Sequence, residues 1–217
     1  MRASEDNAPN AEPAVAAGSH SRPVTCSAFR CLLVDPPWKM QLPHWRKDKR
    51  PGRNPRPPET LSPPYPMMTN QEIANLPVTS MAAETAHLWL WVTNQFLPTG
   101  LDLLKVWGFK YHTTVTWVKP SGCGIWFVQR TQHLLFGWRG RFGLRTRCRP
   151  NVIETGNPER HSAKPEQSYA LIEAVSEGPR LELFARRKRH GWASWGNEIA
   201  NDVEMPNART ELPRPAK

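Results

Sequence analysis

The chain of 217 residues and 24.7 kDa is long enough for one ordinary domain with a real core. Its net charge of +10 and its pI near 9.9 favour nucleic acid as the partner, with a membrane surface as the weaker alternative. No stretch approaches the ~20 apolar residues of a membrane span, and no apolar signal region opens the chain. We therefore expect no membrane partner and a cytoplasmic location.

The cysteines and histidines exclude the usual metal patterns. Cys26, Cys31, Cys123 and Cys148 lack CxxC spacing, which favours reduced thiols over a zinc site or a disulfide framework. The histidines show no ligand spacing either. The sequence therefore predicts no metal site.

Composition divides the chain into three parts. Residues 1–23 are rich in Ala, Pro, Asn and Ser without any periodicity, which predicts a disordered arm. Residues 24–200 carry the periodic patterns of one domain, and residues 201–217 are again polar and contain proline. We expect this last segment to be a tail.

The first strong pattern is an apolar run over 31–34 that ends at Asp35, Pro36, Pro37 and Trp38. Such a run is typical of a buried strand, and two prolines without N–H donors must end its hydrogen-bond ladder. An acid is thereby placed at the carboxyl end of a strand, which is the edge where open α/β sheets bind ligands.

This arrangement suits methyl transfer to an aromatic amine, whose lone pair is delocalised into the ring. Asp35 and the Pro36 carbonyl can accept the two hydrogens of such an amine, which would localise the lone pair and aim it. The consecutive prolines keep that carbonyl rigid, and Trp38 offers a face on which a base can stack. Taken alone, the four residues also fit a strand followed by a Pro-Pro turn with a solvent-facing acid.

A long basic segment over residues 39–66 follows the first strand. It is stiffened by prolines and attached directly to the proposed site, so we interpret it as a lid that binds the target. A loop of this length inside a domain is usually functional or disordered, and a solvated flexible insertion is the alternative.

The remaining patterns predict alternating strands and helices. Thr69 and Glu72 have the form of a capping box, opening a short helix through Leu76 that Pro77 ends. Residues 121–124 read as a turn. Further helices are predicted over 96–107, with Leu97, Leu101, Leu104 and Val106 on its apolar face, and over 166–176. Further strands are predicted over 86–92, 111–118, 133–138, 151–154 and 180–185. This alternation indicates a three-layer α/β domain with a mostly parallel sheet.

Between residues 139 and 149 lies an arginine-rich loop. Most charge runs of this kind are simply solvated, but beside the predicted lid we favour contact with phosphates. Arg139 and Arg141 are therefore candidate substrate contacts, together with Lys119 at the end of the third predicted strand.

Short segments spread over residues 30–199 are each weak but specific in their order and spacing: DPPW (35–38), YPMMT (65–69), LWLWVTN (88–94), TWVK (116–119), QHLL (132–135), HSAKPE (161–166), LELFAR (181–186) and WGNE (195–198). In these segments the chain resembles the adenine methyltransferase family named after the seventy-kilodalton subunit of the eukaryotic mRNA methyltransferase, especially its short bacterial and phage members. The resemblance implies a Rossmann-like, S-adenosylmethionine-dependent methyltransferase fold with permuted motif order, in which the catalytic strand precedes the cofactor half.

The resemblance also implies roles for individual residues around the target base. Asp35 and the carbonyl of Pro36, held rigid by Pro37, should bind the target amine. Trp38 should pack against the base, and Tyr65 should line the same pocket.

A second set of residues is implied to bind the cofactor. Lys164 should pair with the methionine carboxylate of S-adenosylmethionine at the N-terminus of a helix. Phe184 belongs to the same set, and Arg186, Asn197 and Glu198 should bind the ribose and the adenosine end.

Three hypotheses follow for the function. In the first, the chain is an N6-adenine methyltransferase that acts on DNA, which we favour by analogy with the short bacterial and phage members. In the second, the substrate is RNA, and nothing in the chain distinguishes RNA from DNA. In the third, the chain is a non-catalytic nucleic-acid-binding subunit of a methyltransferase complex. A homodimer and a heterodimer both stay open.

Overall fold

The computed structural model describes residues 29–40, 66–123, 126–156 and 163–206. The predicted arm and most of the predicted lid, including Tyr65, lie outside these ranges. In the described part the strands are β1 (Phe29–Val34), β2 (Ala82–Thr93), β3 (Lys110–Cys123), β4 (Gln129–Arg139), β5 (Val152–Glu154), β6 (Arg180–Leu183) and β7 (Trp192–Trp195). The α-helices described are α1 (Asn70–Ala74), α2 (Val78–Met81), α3 (Leu97–Val106) and α4 (Glu166–Val175).

The described strands form one mixed sheet in the order β5-β3-β4-β2-β1-β6-β7. Among their pairings, β1 runs parallel to β2 and β6, β3 to β5, and β6 to β7. Only β4 runs against its neighbours β2 and β3. Only the residues between Cys123 and Gln129 join β3 to β4, which is too short for the crossover that a parallel pair needs, so the two strands pair antiparallel.

Helices cover both faces of the sheet, which confirms the predicted three-layer, Rossmann-like arrangement. Leu88 and Leu90 of β2 pack in one core with residues of α1, α2 and α3, whereas Trp89 and Trp91 pack in a second core with residues of α4. Successive side chains of a strand point to opposite faces of the sheet. Because helices cover both faces, residues 88–92 of β2 are apolar throughout.

The capping box at α1 is confirmed. The Thr69 hydroxyl accepts the backbone N–H of Glu72 at 3.2 Å, and the Glu72 carboxylate accepts that of Thr69 at 2.7 Å. The helix ends at Ala74, before Leu76, and Pro77 precedes the unpredicted helix α2.

The apolar face predicted for α3 is wrong at Val106, which is 62% exposed. Val106 lies two residues after the buried Leu104, which places it on the opposite side of the helix. The neighbouring Trp107 is buried instead, and Gly108 follows with a φ of +79°.

The turn predicted over residues 121–124 is wrong because β3 continues to Cys123. The pairing with β4 shifts register between Val118 and Cys123, so simple alternation is lost there. Gly122 passes so close to β4 that an added Cβ would lie 2.1 Å from the Gln129 carbonyl oxygen.

The domain also extends beyond Ala200, where we predicted a tail. Val203 is buried in the first core, and the Asp202 carboxylate accepts the backbone N–H of Ser194 in β7 at 2.9 Å. No helix in the described ranges is long and apolar enough to cross a membrane. Those ranges also hold no cluster of three His, Cys, Asp or Glu side chains suited to a metal ion.

Candidate active site

A cavity of about 170 Å³ opens at the sheet edge where the carboxyl ends of β1, β2 and β6 meet. It brings together residues that are far apart in the chain. The first strand and the loop after it contribute Asp35, Pro36, Pro37 and Trp38. The C-terminal half contributes the predicted cofactor residues Lys164, Phe184, Arg186, Asn197 and Glu198.

An ion pair lies in the wall of this cavity. Lys164 Nζ donates to Asp35 Oδ2 at 2.6 Å, with Lys164 largely buried and Asp35 partly buried. The same ammonium lies 5.5 Å from the centre of the Trp91 ring. Lys164 comes just before α4, so a cation stands beside the helix end that favours anions.

The two prolines after Asp35 set the backbone in a fixed turn. The Pro36 carbonyl accepts the backbone N–H of Trp38 at 2.9 Å, and the Pro37 carbonyl accepts that of Met68 at 2.8 Å. A carbonyl oxygen has two lone pairs, so Pro36 retains the capacity to accept a second donor. The acceptor predicted for the target amine is therefore present and held in place.

Trp38 packs inside the protein more than the sequence predicts. The side chain is buried, its ring stacks on Phe96 with centroids 4.7 Å apart, and its Nε1 donates to the Trp91 carbonyl at 3.0 Å. Phe96 thus occupies one face of the ring that was predicted to stack on the base. Trp38 braces the wall of the cavity and joins β1 to β2.

The far side of the cavity is built where β6 and β7 end. Arg186 Nε donates to Glu198 Oε1 at 2.7 Å. Ala185 N–H donates to the Trp195 carbonyl at 2.9 Å, and a Cβ added to Gly196 would lie only 2.0 Å from the Ala185 carbonyl oxygen. This close backbone contact brings Glu198 next to Arg186.

Sequence reasoning missed a buried acid beneath the ion pair. Glu182 of β6 is 6% exposed, and its Oε1 accepts the Tyr169 hydroxyl at 2.7 Å. Burial raises the pKa of Glu182 to about 7, and the charge of Asp35 acts in the same direction, while Arg189 and Lys164 oppose it. Burial raises the pKa of Tyr169 as well. The sequence signal for this buried acid was an acidic residue between the apolar Leu181 and Leu183 of a predicted strand.

The structure does not bring Arg139 and Arg141 to this cavity. Gln132, which lines it, lies at one end of β4, and Arg139 ends the strand seven residues later, about 24 Å away. The Arg139 guanidinium donates to the carbonyls of Ala83 at 2.7 Å and Thr79 at 3.0 Å. Arg139 thus anchors backbone at the opposite sheet edge.

Lys119 lies at the same edge of the sheet as the cavity but beside it. It borders a neighbouring cleft together with Arg130, whose Nε donates to the Lys119 carbonyl at 2.8 Å. Its ammonium lies 5.5 Å from the centre of the Trp117 ring.

The chain is similar to known proteins over most of its length. The MT-A70 family model matches residues 29–198. A putative N(6)-adenosine-methyltransferase MT-A70-like of Medicago truncatula is 28% identical over 184 residues, which cover 79% of this chain and 26% of that protein. The human N(6)-adenosine-methyltransferase catalytic subunit METTL3 is 26% identical over 186 residues, 79% of this chain and 28% of that protein.

A bacterial relative is similar over a larger share of its own length. The type II methyltransferase M.MunI of Mycoplasma sp is 31% identical over 153 residues, 65% of this chain and 63% of that protein. The chain thus spans about a quarter of the eukaryotic relatives and 63% of the bacterial one, which is less than two thirds. Because the family model covers most of the chain and all the described cavity residues, this protein belongs to the MT-A70 family of methyltransferases.

Proposed function

We propose that this chain transfers a methyl group from S-adenosylmethionine to the N6 amine of adenine in nucleic acid, with DNA as the favoured polymer. The observation that carries the proposal is the meeting of Asp35 and Lys164 in one cavity, between the Pro36 carbonyl and the Arg186–Glu198 pair. That cavity offers a place for an amine next to a place for a carboxylate.

The amine side consists of two acceptors. The Asp35 carboxylate and the Pro36 carbonyl can each take one hydrogen of an exocyclic amine, which orients its lone pair for in-line attack. Trp38 and Phe96 hold this wall rigid through their stacked rings. A pair of acceptors does not suit guanine, whose corresponding position is itself an acceptor.

The cofactor side fits the chemistry of S-adenosylmethionine. Lys164 supplies a cation for its carboxylate, and Arg186, Asn197 and Glu198 supply donors and acceptors for its hydroxyls. When bound, this cofactor supplies a methyl group on a positively charged sulfur.

The ion pair joins the two sides of the cavity. Lys164 lies 2.6 Å from Asp35, and an ammonium has three N–H donors while a carboxylate has about four acceptor positions. We propose that Lys164 binds the cofactor carboxylate and Asp35 binds the amine without breaking this contact.

The preference for DNA rests on similarity to a bacterial relative. The type II methyltransferase M.MunI is 31% identical and is matched over 63% of its own length, whereas only about a quarter of each eukaryotic relative is matched. The names of the eukaryotic relatives favour RNA as the second candidate. A non-catalytic subunit is disfavoured because Asp35, Pro36, Pro37 and Lys164 all line the cavity.

A methyl-transfer assay tests this proposal. The protein is incubated with S-adenosylmethionine labelled in its methyl group and with duplex DNA, single-stranded DNA or RNA of matched sequence, at low salt because phosphate contacts are salt-sensitive. We expect label in adenine, with more in DNA than in RNA. Label confined to RNA would contradict DNA as the favoured substrate. Cofactor binding without label in any polymer would contradict the proposed methyl transfer.

A further inference from the structure

The connection from β3 to β4 carries an exposed apolar group. Trp126, Phe127 and Val128 are 92%, 78% and 63% exposed, and we call these residues the hairpin tip. They are the longest run of exposed large apolar residues in the part of the chain that the structure describes. Such a run costs free energy in water, so it indicates a binding surface.

A line of side chains connects the hairpin tip to the cavity. Residues two apart in a strand share a face, so Arg130 and Gln132 of β4 lie on one side of the strand, and Val128 precedes them at the same spacing. Gln132 lines the cavity that holds Asp35, and Arg130 borders the neighbouring cleft. From Gln132 to Val128 the distance along an extended chain is about 13 Å.

Side-chain contacts fix the base of the hairpin. Asn94 Nδ2 donates to Gln129 Oε1 at 2.7 Å, and Asn94 Oδ1 lies 2.9 Å from His133 Nε2. Arg130 Nε donates to the Lys119 carbonyl at 2.8 Å. The hairpin is thereby tied to the end of β2, and its position relative to the cavity is set.

We propose that the hairpin tip is a stacking platform for single-stranded DNA, which holds the bases next to the one whose amine enters the cavity. This inference rests on the proposed function, because it takes the cavity as the place of the target base. An indole ring that is 92% exposed has faces open to a base, and aromatic stacking of this kind tolerates any sequence. Arg130 and Lys119 line the cleft beside the cavity, and both carry the positive charge that a phosphate backbone requires.

A second copy of the chain fits the hairpin tip less well. An aromatic side chain buries about 150–250 Å², so Trp126 and Phe127 together offer about 300–500 Å², whereas a stable interface needs about 800 Å² per partner. A second copy also carries a net charge of +10 and would place like charges near Arg130 and Lys119. Charge complementarity favours a polyanion.

Equilibrium binding of fluorescein-labelled single-stranded DNA tests the inference without requiring catalysis. Trp126→Leu keeps an apolar side chain but removes the aromatic ring, whereas Trp126→Phe keeps a ring. We expect Trp126→Leu to weaken binding about tenfold and Trp126→Phe to weaken it less than about threefold. Tyr111→Leu is the matched control, because Tyr111 is also an exposed aromatic residue of this hairpin but lies at the other end of β3.

Duplex DNA of the same sequence and sedimentation velocity complete the experiment. We expect Trp126→Leu to change duplex affinity less than about twofold, because paired bases cannot stack on the tip. Equal losses for single strand and duplex, an unchanged single-strand affinity, or an equal loss in Tyr111→Leu would overturn the proposal. So would dissociation of a dimer by Trp126→Leu, since the tip would then act through assembly.

The two proposals can fail separately. If the wild type methylates adenine but Trp126→Leu binds single strands normally, the stacking platform is wrong and the methyltransferase stands. If the wild type methylates no polymer while binding depends on the aromatic ring of Trp126, the platform stands and the activity is wrong.

Discussion

At the scale of single residues, the site depends on how two opposite charges share one cavity wall. Lys164 is largely buried and lies 2.6 Å from Asp35, so each charge is stabilised by the other before any ligand binds. The proposed function has a ligand carboxylate bind the same ammonium as Asp35, and an amine bind the same carboxylate as Lys164. Substituting one of the two residues therefore tests one half of the proposed function.

Lys164→Met should selectively weaken cofactor binding. Methionine keeps an apolar stem of similar length but cannot form the charge-assisted hydrogen bond to a carboxylate, which contributes about 1.5–3 kcal/mol. We expect the affinity for S-adenosylmethionine to fall about tenfold to a hundredfold, measured by isothermal titration calorimetry. Lys105→Met is the control, because Lys105 pairs with Asp102 on the exposed side of α3. Equal affinities of wild type and Lys164→Met would contradict the assignment.

Glu182 should make stability depend on pH. Its pKa is about 7 in the folded protein, raised by burial from the usual value of 4.5, so the folded state holds a proton that the unfolded state releases. The free energy of unfolding should therefore fall as pH rises from about 4.5 through 7, by at most about 3 kcal/mol.

Glu182→Gln removes that titration but keeps an acceptor for the Tyr169 hydroxyl. We expect the variant to lose less stability than the wild type between pH 5 and pH 8, measured from urea midpoints. Parallel pH profiles for the two proteins would show that Glu182 titrates near its ordinary value.

At the scale of elements, the closeness of β6 and β7 shapes the cofactor side. Gly196→Ala places a Cβ 2.0 Å from the Ala185 carbonyl oxygen, so the backbone that carries Asn197 and Glu198 must shift. We expect cofactor affinity to fall at least about tenfold, since sites are sensitive to misplacement by about 1 Å. Gly143→Ala is the matched control, because its added Cβ meets no atom within 4 Å. An equal effect of both substitutions would exclude a specific role for Gly196.

Elements with strong local signals could be predicted from the sequence. The strand before Asp35 was predictable because two prolines end it, and α1 because Thr69 and Glu72 cap it. Short elements such as α2 and β7 have too few residues to show a period. Their formation depends on packing and on pairing with strands that are distant in sequence.

The candidate site could be predicted only where one residue carries its own signal. Asp35 has such a signal in the motif that follows it, whereas the contact of Tyr169 with Glu182 depends on how α4 lies over β6. The sequence could not place Arg139, because a run of arginines looks the same in sequence whether its side chains contact phosphates or backbone carbonyls. The guanidinium in fact holds the start of β2.

At the scale of the whole molecule, the net charge of +10 should govern affinity for nucleic acid. Each phosphate that a protein neutralises adds about −0.9 to the slope of log affinity against log salt on duplex DNA. We expect DNA affinity to fall at least about tenfold between about 50 and 200 mM salt. Fluorescence anisotropy measures this, with S-adenosylmethionine affinity as a less salt-sensitive control. A flat salt profile for DNA would contradict binding through phosphates.

The proposed activity depends most directly on whether Asp35 holds the amine that is methylated. Asp35→Asn has nearly the same size but replaces one acceptor by a donor that cannot bind an amine hydrogen. We expect wild type to produce N6-methyladenine, identified by mass spectrometry of digested DNA, and the variant to be slower by about a hundredfold or more while still binding S-adenosylmethionine. A variant that forms N6-methyladenine at the wild-type rate, or a wild type that methylates a different base, would contradict the account.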